Sequence, residues 1–288
     1  MVNTQAKAVS NAKRNEWDNL LLQERKYSEY AFPKVSIIIP TLNCSESIPT
    51  TLESILSQDY PDYEIIIIDG GSTDRTLEVV NGFSREHTRI YSVSQYSRYE
   101  MLNKGISHAM GVYITFLFPG DFYIYYQTLK LMMELALKYD KPHLVYCGCA
   151  LHDASTMVKT LNRPMTLDLL RSGRQPTSLQ SCWFRADTFR RIGRFPTNYV
   201  MRGGFDLMCR FLQDGELRSV SSSRILTDYD LRGINRRQVL LHFWETMRSL
   251  HHRFGFAVTL RWLLFQQKDL RRYLRLWLRS IKVAFIGQ

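Results

Sequence analysis

Two aspartates in this sequence stand where an apolar run stops. In "YEIIIID" (63–69) four isoleucines lead to Asp69, and Gly70-Gly71 follow. In "ITFLFPGDFYIYY" (114–126) the run ends at Pro119-Gly120 and Asp121 comes next. A carboxylate at a strand terminus suits a hard cation such as Mg²⁺ or Mn²⁺, which takes one or two protein carboxylates and leaves other positions to substrate phosphates. Adjacent glycines let a ligand approach the backbone. A plainer reading exists for each: Asp-Gly is ordinary turn chemistry, and an aspartate after a strand can cap the next helix. Spacing alone leaves the alternatives for Asp69 balanced and favours the turn for Asp121. The Gly70-Gly71-Ser72 run has neither the P-loop nor the dinucleotide glycine spacing.

The elements that must position these residues are legible in outline. "VSIIIP" (35–40), "YEIIIID" (63–69), "RIYSVS" (89–94) and "VYITFLF" (112–118) are short apolar runs of the kind buried on both faces of a sheet. Between them, "IPTTLESILSQ", "GGSTDRTLEVVNGF" and "YEMLNKGISHAMG" carry helical spacing and helix-starting residues. Strand and helix alternating at this pitch predict a mainly parallel α/β sheet with crossover helices. Ligands of such sheets sit beyond the carboxyl ends of the strands. Pro40, Thr41, Asn43, Asp69, Gly70 and Asp121 therefore become expected neighbours. The middle of the chain predicts helices near 125–139, 187–192 and 205–213, and strands near 143–150, 179–184 and 217–227; from 235 onward every segment reads helical.

Composition narrows the setting. The chain has 288 residues, 45% hydrophobic and 23% charged, enough to bury a full core. Its five cysteines (Cys44, Cys147, Cys149, Cys182, Cys209) follow no disulfide framework and predict reduced thiols in a cytoplasmic protein. The first thirty residues form a polar, partly helical lead-in without the apolar region of a signal peptide, and no run is long enough to span a bilayer.

The segment "VSIIIPTLNCSESIPTTLESILSQDYPDYEIIIIDGGSTDRTLEVV" closely resembles the start of family 2 glycosyltransferases, and "YEMLNKGISHAMGVYITFLFPGD" continues the likeness in order and spacing. "LQSCWFRADTFRRIGRFPTNY" and "GFDLMCRFLQDGELRSV" resemble the acceptor-side half, so the likeness runs over roughly residues 34–235. The resemblance implies a GT-A (Rossmann-like) fold and a nucleotide-sugar donor, with surface-polysaccharide sugar transferases as the nearest type. It also implies roles. Pro40, Thr41, Asn43, Asp69 and Gly70 would hold the base, Glu100 and Asn103 would line the nucleoside, and Asp121 would bind a divalent metal (Mg or Mn) on the diphosphate. The acceptor would be a glycan or a lipid-linked sugar, and the transfer would invert the anomeric centre.

The chain also departs from the family pattern. Gly120 replaces the first acid of the metal motif, and "QYSRYE" replaces Asp-Lys-Gly-Ile-Tyr-Asp. An inverting transfer needs a carboxylate to deprotonate the acceptor hydroxyl, yet the Asp-Tyr-x-Leu pattern falls on "GFDL" and puts Gly204 at the base position. Asp206 lies two residues on, about 200° around a helix. The family's His-Gln pair reads Leu179-Gln180. Two readings follow: an active transferase whose base is Asp206, Asp187 or Asp214, or a nucleotide-sugar-binding pseudoenzyme acting as a scaffold or regulator.

Other groups offer weaker chemistry. His143, Cys147, Cys149 and His152 lack zinc spacing, His251-His252 reads as solvated surface, and Arg190, Arg191 and Arg194 as a helix end. The tail is distinctive: from Arg232 to Lys282 twelve Lys/Arg face two acids, Glu245 and Asp269, while the whole chain carries +11. Interleaved with Trp244, Phe254, Phe256, Trp262, Phe265, Tyr273, Trp277 and Phe285, these charges match the composition of interfacial helices. The expectation is peripheral contact of 233–285 with an anionic membrane at the cytoplasmic face of the inner membrane, and no nucleic acid. The expected organisation is a lead-in (1–33), a GT-A domain (34–232) and a basic helical extension (233–288).

Overall fold

β1 (Val35–Thr41) and β2 (Tyr63–Asp69) are buried along almost their whole length, which is why both read as unbroken apolar runs. Each fully buried isoleucine in them adds roughly 2 kcal/mol of transfer free energy. The computed structural model describes residues 32–93, 97–153, 156–230 and 236–265; the lead-in up to residue 31 and the tail beyond 265 lie outside the described residues, as does any role expected of them. Lys34 opens one compact unit.

After β1 and β2 come β3 (Thr88–Ser92) and β4 (Tyr113–Phe116), and the four pair in parallel in the order β3-β2-β1-β4. The crossovers are α1 (Ile48–Leu56), α2 (Thr76–Phe83) and α3 (Arg98–His108). Helix α3 lies so close to β1 that a Cβ at Gly105 would sit 2.3 Å from Ile38 Cγ2. Beyond β4 the sheet turns antiparallel. After α4 (Thr128–Lys138) come β5 (Leu144–Asp153), β6 (Thr156–Leu161), α5 (Leu167–Arg171) and β7 (Cys182–Arg185). β7 joins β4 to β5, β6 folds back on β5, and β8 (Ser219–Asp230) pairs with β5 in parallel. This is the mixed, mainly parallel sheet flanked by helices that the sequence predicts. Neither β6 nor α5 is among the expected elements.

The remaining helices are α6 (Thr188–Ile192), α7 (Gly203–Gln213) and α8 (Arg236–Phe265). Helix α8 bends at Gly255 (φ 81°) and packs on α5 and α7. Packing does not stop at the boundary expected near 233. Leu250 is fully buried, and the Glu245 carboxylate accepts backbone N–H bonds from Val200, Met201 and Arg202 at 2.7–2.8 Å, just ahead of α7. An anion there satisfies donors that a helix N-terminus leaves open. No helix among the described residues is long and apolar enough to cross a membrane.

Candidate active site

The carboxyl ends of β1, β2 and β4 meet at one edge of the sheet. Thr41 and Asp69 are register partners, and Thr41 Oγ1 donates to Asp69 Oδ1 at 3.0 Å. Asp69 also accepts from the Gly71 and Ser72 backbone N–H groups and from Ser72 Oγ. Gly70 N–H donates to the Thr41 carbonyl at 2.8 Å. Asn43, in the left-handed region at φ 47°, reaches across with its side-chain oxygen to accept from Thr73 N–H at 2.8 Å. Asp69 and Asn43 thus lock the two loops together. Pro40, Thr41, Asn43, Asp69 and Gly70 form one cluster.

Glu100 and Asn103 act one layer away. Glu100 forms a capping box with Ser97 at the start of α3. Asn103 pairs with both backbone groups of Phe195, at 2.8 and 3.0 Å. Both position α3 and the loop before α7, and α3 in turn brings Met101 within 3.2 Å of where a Cβ on Gly70 would lie.

Asp121 sits on a turn built by Thr51 of α1, whose hydroxyl accepts from Gly120 N–H at 2.9 Å and donates to the Asp121 carbonyl at 2.8 Å. Its side chain is 2% exposed. Oδ2 accepts from Gln180 Nε2 at 2.5 Å and Oδ1 from Asp230 N–H at 3.0 Å. Among the described residues it has no ion pair. Burial pushes its carboxyl up to about 7; the Gln180 and Asp230 hydrogen bonds oppose that rise, the Asp230 charge adds to it, and the Arg98 charge opposes it. Arg98 stacks on Phe118, 4.9 Å from the ring centroid.

Asp121, Asp230, Arg98, Gln180 and Gly204 line a cavity of about 350 Å³. Asp121 and Asp230 are the only acids among its described lining residues. The Asp121 carboxylate, with no ion pair among the described residues and beside room for a diphosphate, fits Mg²⁺ or Mn²⁺. A larger cavity, about 1150 Å³, lies between α5 and the far part of α8 and is lined by none of the strand-end residues.

The expected bases are placed elsewhere. Asp206 is 1% exposed, and its carboxylate is gripped by Arg210 at 3.0 Å and by Arg253 of α8 at 2.7 and 3.1 Å. It does not line the cavity, because two residues along α7 carry it to the opposite side from Gly204. Asp187 pairs with Arg185, and Asp214 with Arg191; neither lines the cavity. Gly204 does, and a Cβ there would meet Leu179 first, at an ordinary 3.6 Å, so packing does not demand a glycine. His143, Cys147, Cys149 and His152 do not converge, and no group of three metal-ligating side chains occurs among the described residues. His152 instead pairs with Asp228.

Thr51, Gln180, Arg98 and Asp230 are the additions to the sequence-based site. A strand-end acid is the signal that picks out Asp69 and Asp121, and "ILTDYD" carries it too. What sequence does not supply is the pairing that swings the end of β8 toward Asp121: Asp228 N–H to the Phe122 carbonyl and Ile124 N–H to the Leu226 carbonyl.

Comparison with known proteins adds three findings. The model of glycosyl transferase family 2 matches residues 36–199. A PGL/p-HBAD biosynthesis glycosyltransferase of Mycobacterium bovis is 30% identical over 183 residues, 62% of this chain and 70% of that protein. Among solved structures, Staphylococcus aureus TarS 1–349 in complex with UDP superposes with a TM-score of 0.61 at 17% identity. That match covers 76% of this chain and 65% of the TarS chain. The mannosyltransferase PcManGT from Pyrobaculum calidifontis, in complex with GDP-Man and Mn²⁺, gives 0.58 at 18% identity, covering 88% and 81%.

Proposed function

The chain belongs to glycosyl transferase family 2, and from that premise we propose that it moves a sugar from a UDP-sugar to a glycan or lipid-linked acceptor, with metal assistance and inversion at the anomeric carbon. The observation that carries this reading is Asp121, a buried carboxylate with no ion pair among the described residues, at the wall of a cavity that opens where β1, β2 and β4 end. The loops locked by Asp69 would seat the nucleoside, and TarS, a relative in fold, holds UDP. Asp121 would hold the cation, with Gln180 fixing the carboxylate's orientation. When bound, the cation supplies Lewis-acid neutralisation of the diphosphate as the glycosidic bond breaks. The test is UDP release from a panel of UDP-sugars with Mn²⁺ and acceptor extracts, comparing the native chain with Asp121→Asn. Release that depends on Asp121 supports the reading.

The second reading, a pseudoenzyme that binds a nucleotide sugar as scaffold or regulator, is favoured by Gly204, since no acid stands at the base position. UDP binding without turnover on any acceptor supports it, and a failure to bind UDP overturns both readings.

Peripheral membrane contact belongs to the same proposal. Past the bend of α8, Phe256, Leu260, Leu264 and Phe265 are exposed, Phe265 at 79%, near Arg253 and Arg261. Apolar side chains edged by arginine are the composition of a helix that lies in a bilayer interface. Cutting the chain before α8 would also remove Glu245 and Arg253 from the body, so the cleaner test replaces Phe256, Leu260, Leu264 and Phe265 with serine. Retained co-sedimentation with anionic vesicles at low salt would overturn the contact.

A further inference from the structure

The larger cavity, about 1150 Å³, lies apart from the strand ends, and its lining is of two kinds. Phe254, Val258 and Trp262 of α8 give it an apolar wall. Four arginines stand around the same space: Arg171 at the end of α5, Arg174 just after it, and Arg253 and Arg261 on α8. Asp168 is the one acid among the described lining residues. Two glycines make the turns that frame it. Gly255 bends α8 at φ 81°, and a Cβ on Gly173 (φ +74°) would lie 2.4 Å from Trp262 Nε1, so the turn after α5 sits tight against α8.

The arginines are not equally occupied. Arg253 is spent on Asp206. Arg171 makes one 3.3 Å contact with Asp168, whose side chain is 93% exposed, and surface pairs of this kind hold weakly. Among the described residues the guanidinium groups of Arg174 and Arg261 make no hydrogen bond or ion pair; Arg261 only lies over Phe265, 6.0 Å from the ring centroid. Three cations gathered around one concavity repel one another. A bound anion offsets that repulsion, and guanidinium groups match the oxygens of a phosphate. Free phosphate would leave the apolar wall in water, so the ligand that suits both parts carries hydrocarbon beside its phosphate. Phe256, Leu260, Leu264 and Phe265, the exposed side chains proposed to meet a bilayer, belong to the same stretch of α8. The chain beyond residue 265 is a poor occupant, because its six Lys/Arg against one acid would add positive charge to the arginines.

We propose that this groove binds one anionic phospholipid, its phosphate among Arg171, Arg174 and Arg261 and the start of its acyl chains along Phe254, Val258 and Trp262. The inference rests on the peripheral membrane contact above and gives that contact a defined lipid site. Exposed apolar side chains alone ask for no particular headgroup, whereas a seat for phosphate makes attachment depend on anionic lipid. The groove is separate from the sugar-transfer crevice. Gln213 lines the one and Gly204 the other, and nine residues of α7, about 13 Å of helix, lie between them.

The test uses a lipid whose chains are short enough to keep it monomeric, so that binding reports the groove and not a bilayer surface. Titration calorimetry of the full chain with dihexanoyl phosphatidylglycerol at low salt is expected to show saturable binding of one lipid per chain. Dihexanoyl phosphatidylcholine, which lacks net charge, and glycerol phosphate, which lacks hydrocarbon, are each expected to bind about tenfold more weakly or worse. Arg171→Gln with Arg174→Gln is expected to weaken the anionic lipid about twentyfold, roughly fivefold for each arginine. Equal binding by this double variant and the native chain overturns the proposal, and so does phosphatidylcholine bound as tightly as phosphatidylglycerol. Glycerol phosphate bound as tightly as the lipid also overturns it, in favour of a plain phosphate site. If the native chain binds phosphatidylglycerol vesicles but no monomeric lipid, the groove has another occupant, the chain beyond residue 265 among the choices, and the peripheral contact stands. If it binds neither, both fall. Arg171 and Arg174 are exposed, so the double variant is expected to fold; should it not, Arg261→Gln is measured against the same criteria.

Discussion

Asp121 and Asp206 are almost equally buried, at 2% and 1% exposure, and their surroundings are opposite. Asp206 lies in the seam between α7 and α8, where Arg210 and Arg253 both bond to its carboxylate. Asp121 lies in the strand-end crevice, held by a neutral amide and a backbone N–H, with another acid beside it. A buried charge is tolerated when its partners compensate it. The seam brings its compensation within the chain and so fastens one helix to another. The crevice holds Asp121 without an ion pair among the described residues, which is the electrostatic condition of a site that receives a cation. Burial alone does not separate a strut from a ligand; the sign of the surroundings does.

The comparison breaks most visibly on activity at Asp121. Asp121→Asn is expected to lower sugar transfer by about a thousandfold, roughly 4 kcal/mol of lost transition-state stabilisation, with no fall in melting temperature. The measurements are UDP release and a thermal melt. A large loss of stability with normal turnover would mean that Asp121 is the strut. The seam should behave in reverse. Asp206→Asn leaves two arginines facing an uncharged amide and is expected to cost about 3 kcal/mol of stability, measured by the urea midpoint. Donor binding by the fraction that remains folded should be retained. If Asp206→Asn is as stable as the native chain, the seam does not depend on that charge.

The next effect sharpens what the crevice still lacks. A Cβ at Gly204 meets Leu179 first, at ordinary contact distance, whereas one at Gly203 would run into the Tyr99 ring at 2.7 Å. Position 204 is in the first turn of α7, where an acid also suits the helix N-terminus. Gly204→Asp is therefore expected to fold and to raise transfer about tenfold, a modest share of what general-base catalysis can contribute. Unchanged turnover in a folded Gly204→Asp protein would show that the missing acid at 204 does not limit the reaction.

The crevice was more legible in the sequence than the seam, for a physical reason. Unbroken isoleucine runs identify strands buried on both faces, and a parallel sheet obliges their carboxyl ends to converge. Thr41, Asp69 and Asp121 therefore become neighbours by topology alone. Asp230 obeys the same rule, but whether the end of β8 reaches that edge depends on the pairing of 122–124 with 226–228, which no local pattern encodes. The seam depends on partners far apart in sequence: Arg253 finds Asp206, and Glu245 finds the backbone of 200–202. A basic helix reads as a solvated or membrane-facing surface when its partners are unknown. In the structure Arg253 of that helix is largely spent on one buried acid.

The smallest effect tests the buried face of α8 through pH. His242 of α8 is held neutral, its imidazole lowered from 6.5 to about 3, first by burial and then by the nearby Arg202 charge. In the unfolded chain the same imidazole takes up a proton as pH falls through 6.5, so there the unfolded state binds more protons than the folded one. Stability contributed by the neutral histidine is complete above 6.5 and is lost as pH falls toward 3. One fully shifted group changes stability by at most about 1.4 kcal/mol per pH unit, and partial exposure reduces this, so about 1 kcal/mol is expected between pH 6.5 and 5. Other groups titrate in the same range, among them Asp121, whose raised carboxyl acts with the opposite sign. The informative quantity is therefore the difference between the native chain and His242→Gln in urea midpoints at the two pH values. If burial and the Arg202 charge hold His242 neutral in the folded chain, the native chain loses more on acidification than the variant does. Equal losses would mean that His242 accepts its proton in the folded state, which its burial and then the neighbouring Arg202 charge should prevent.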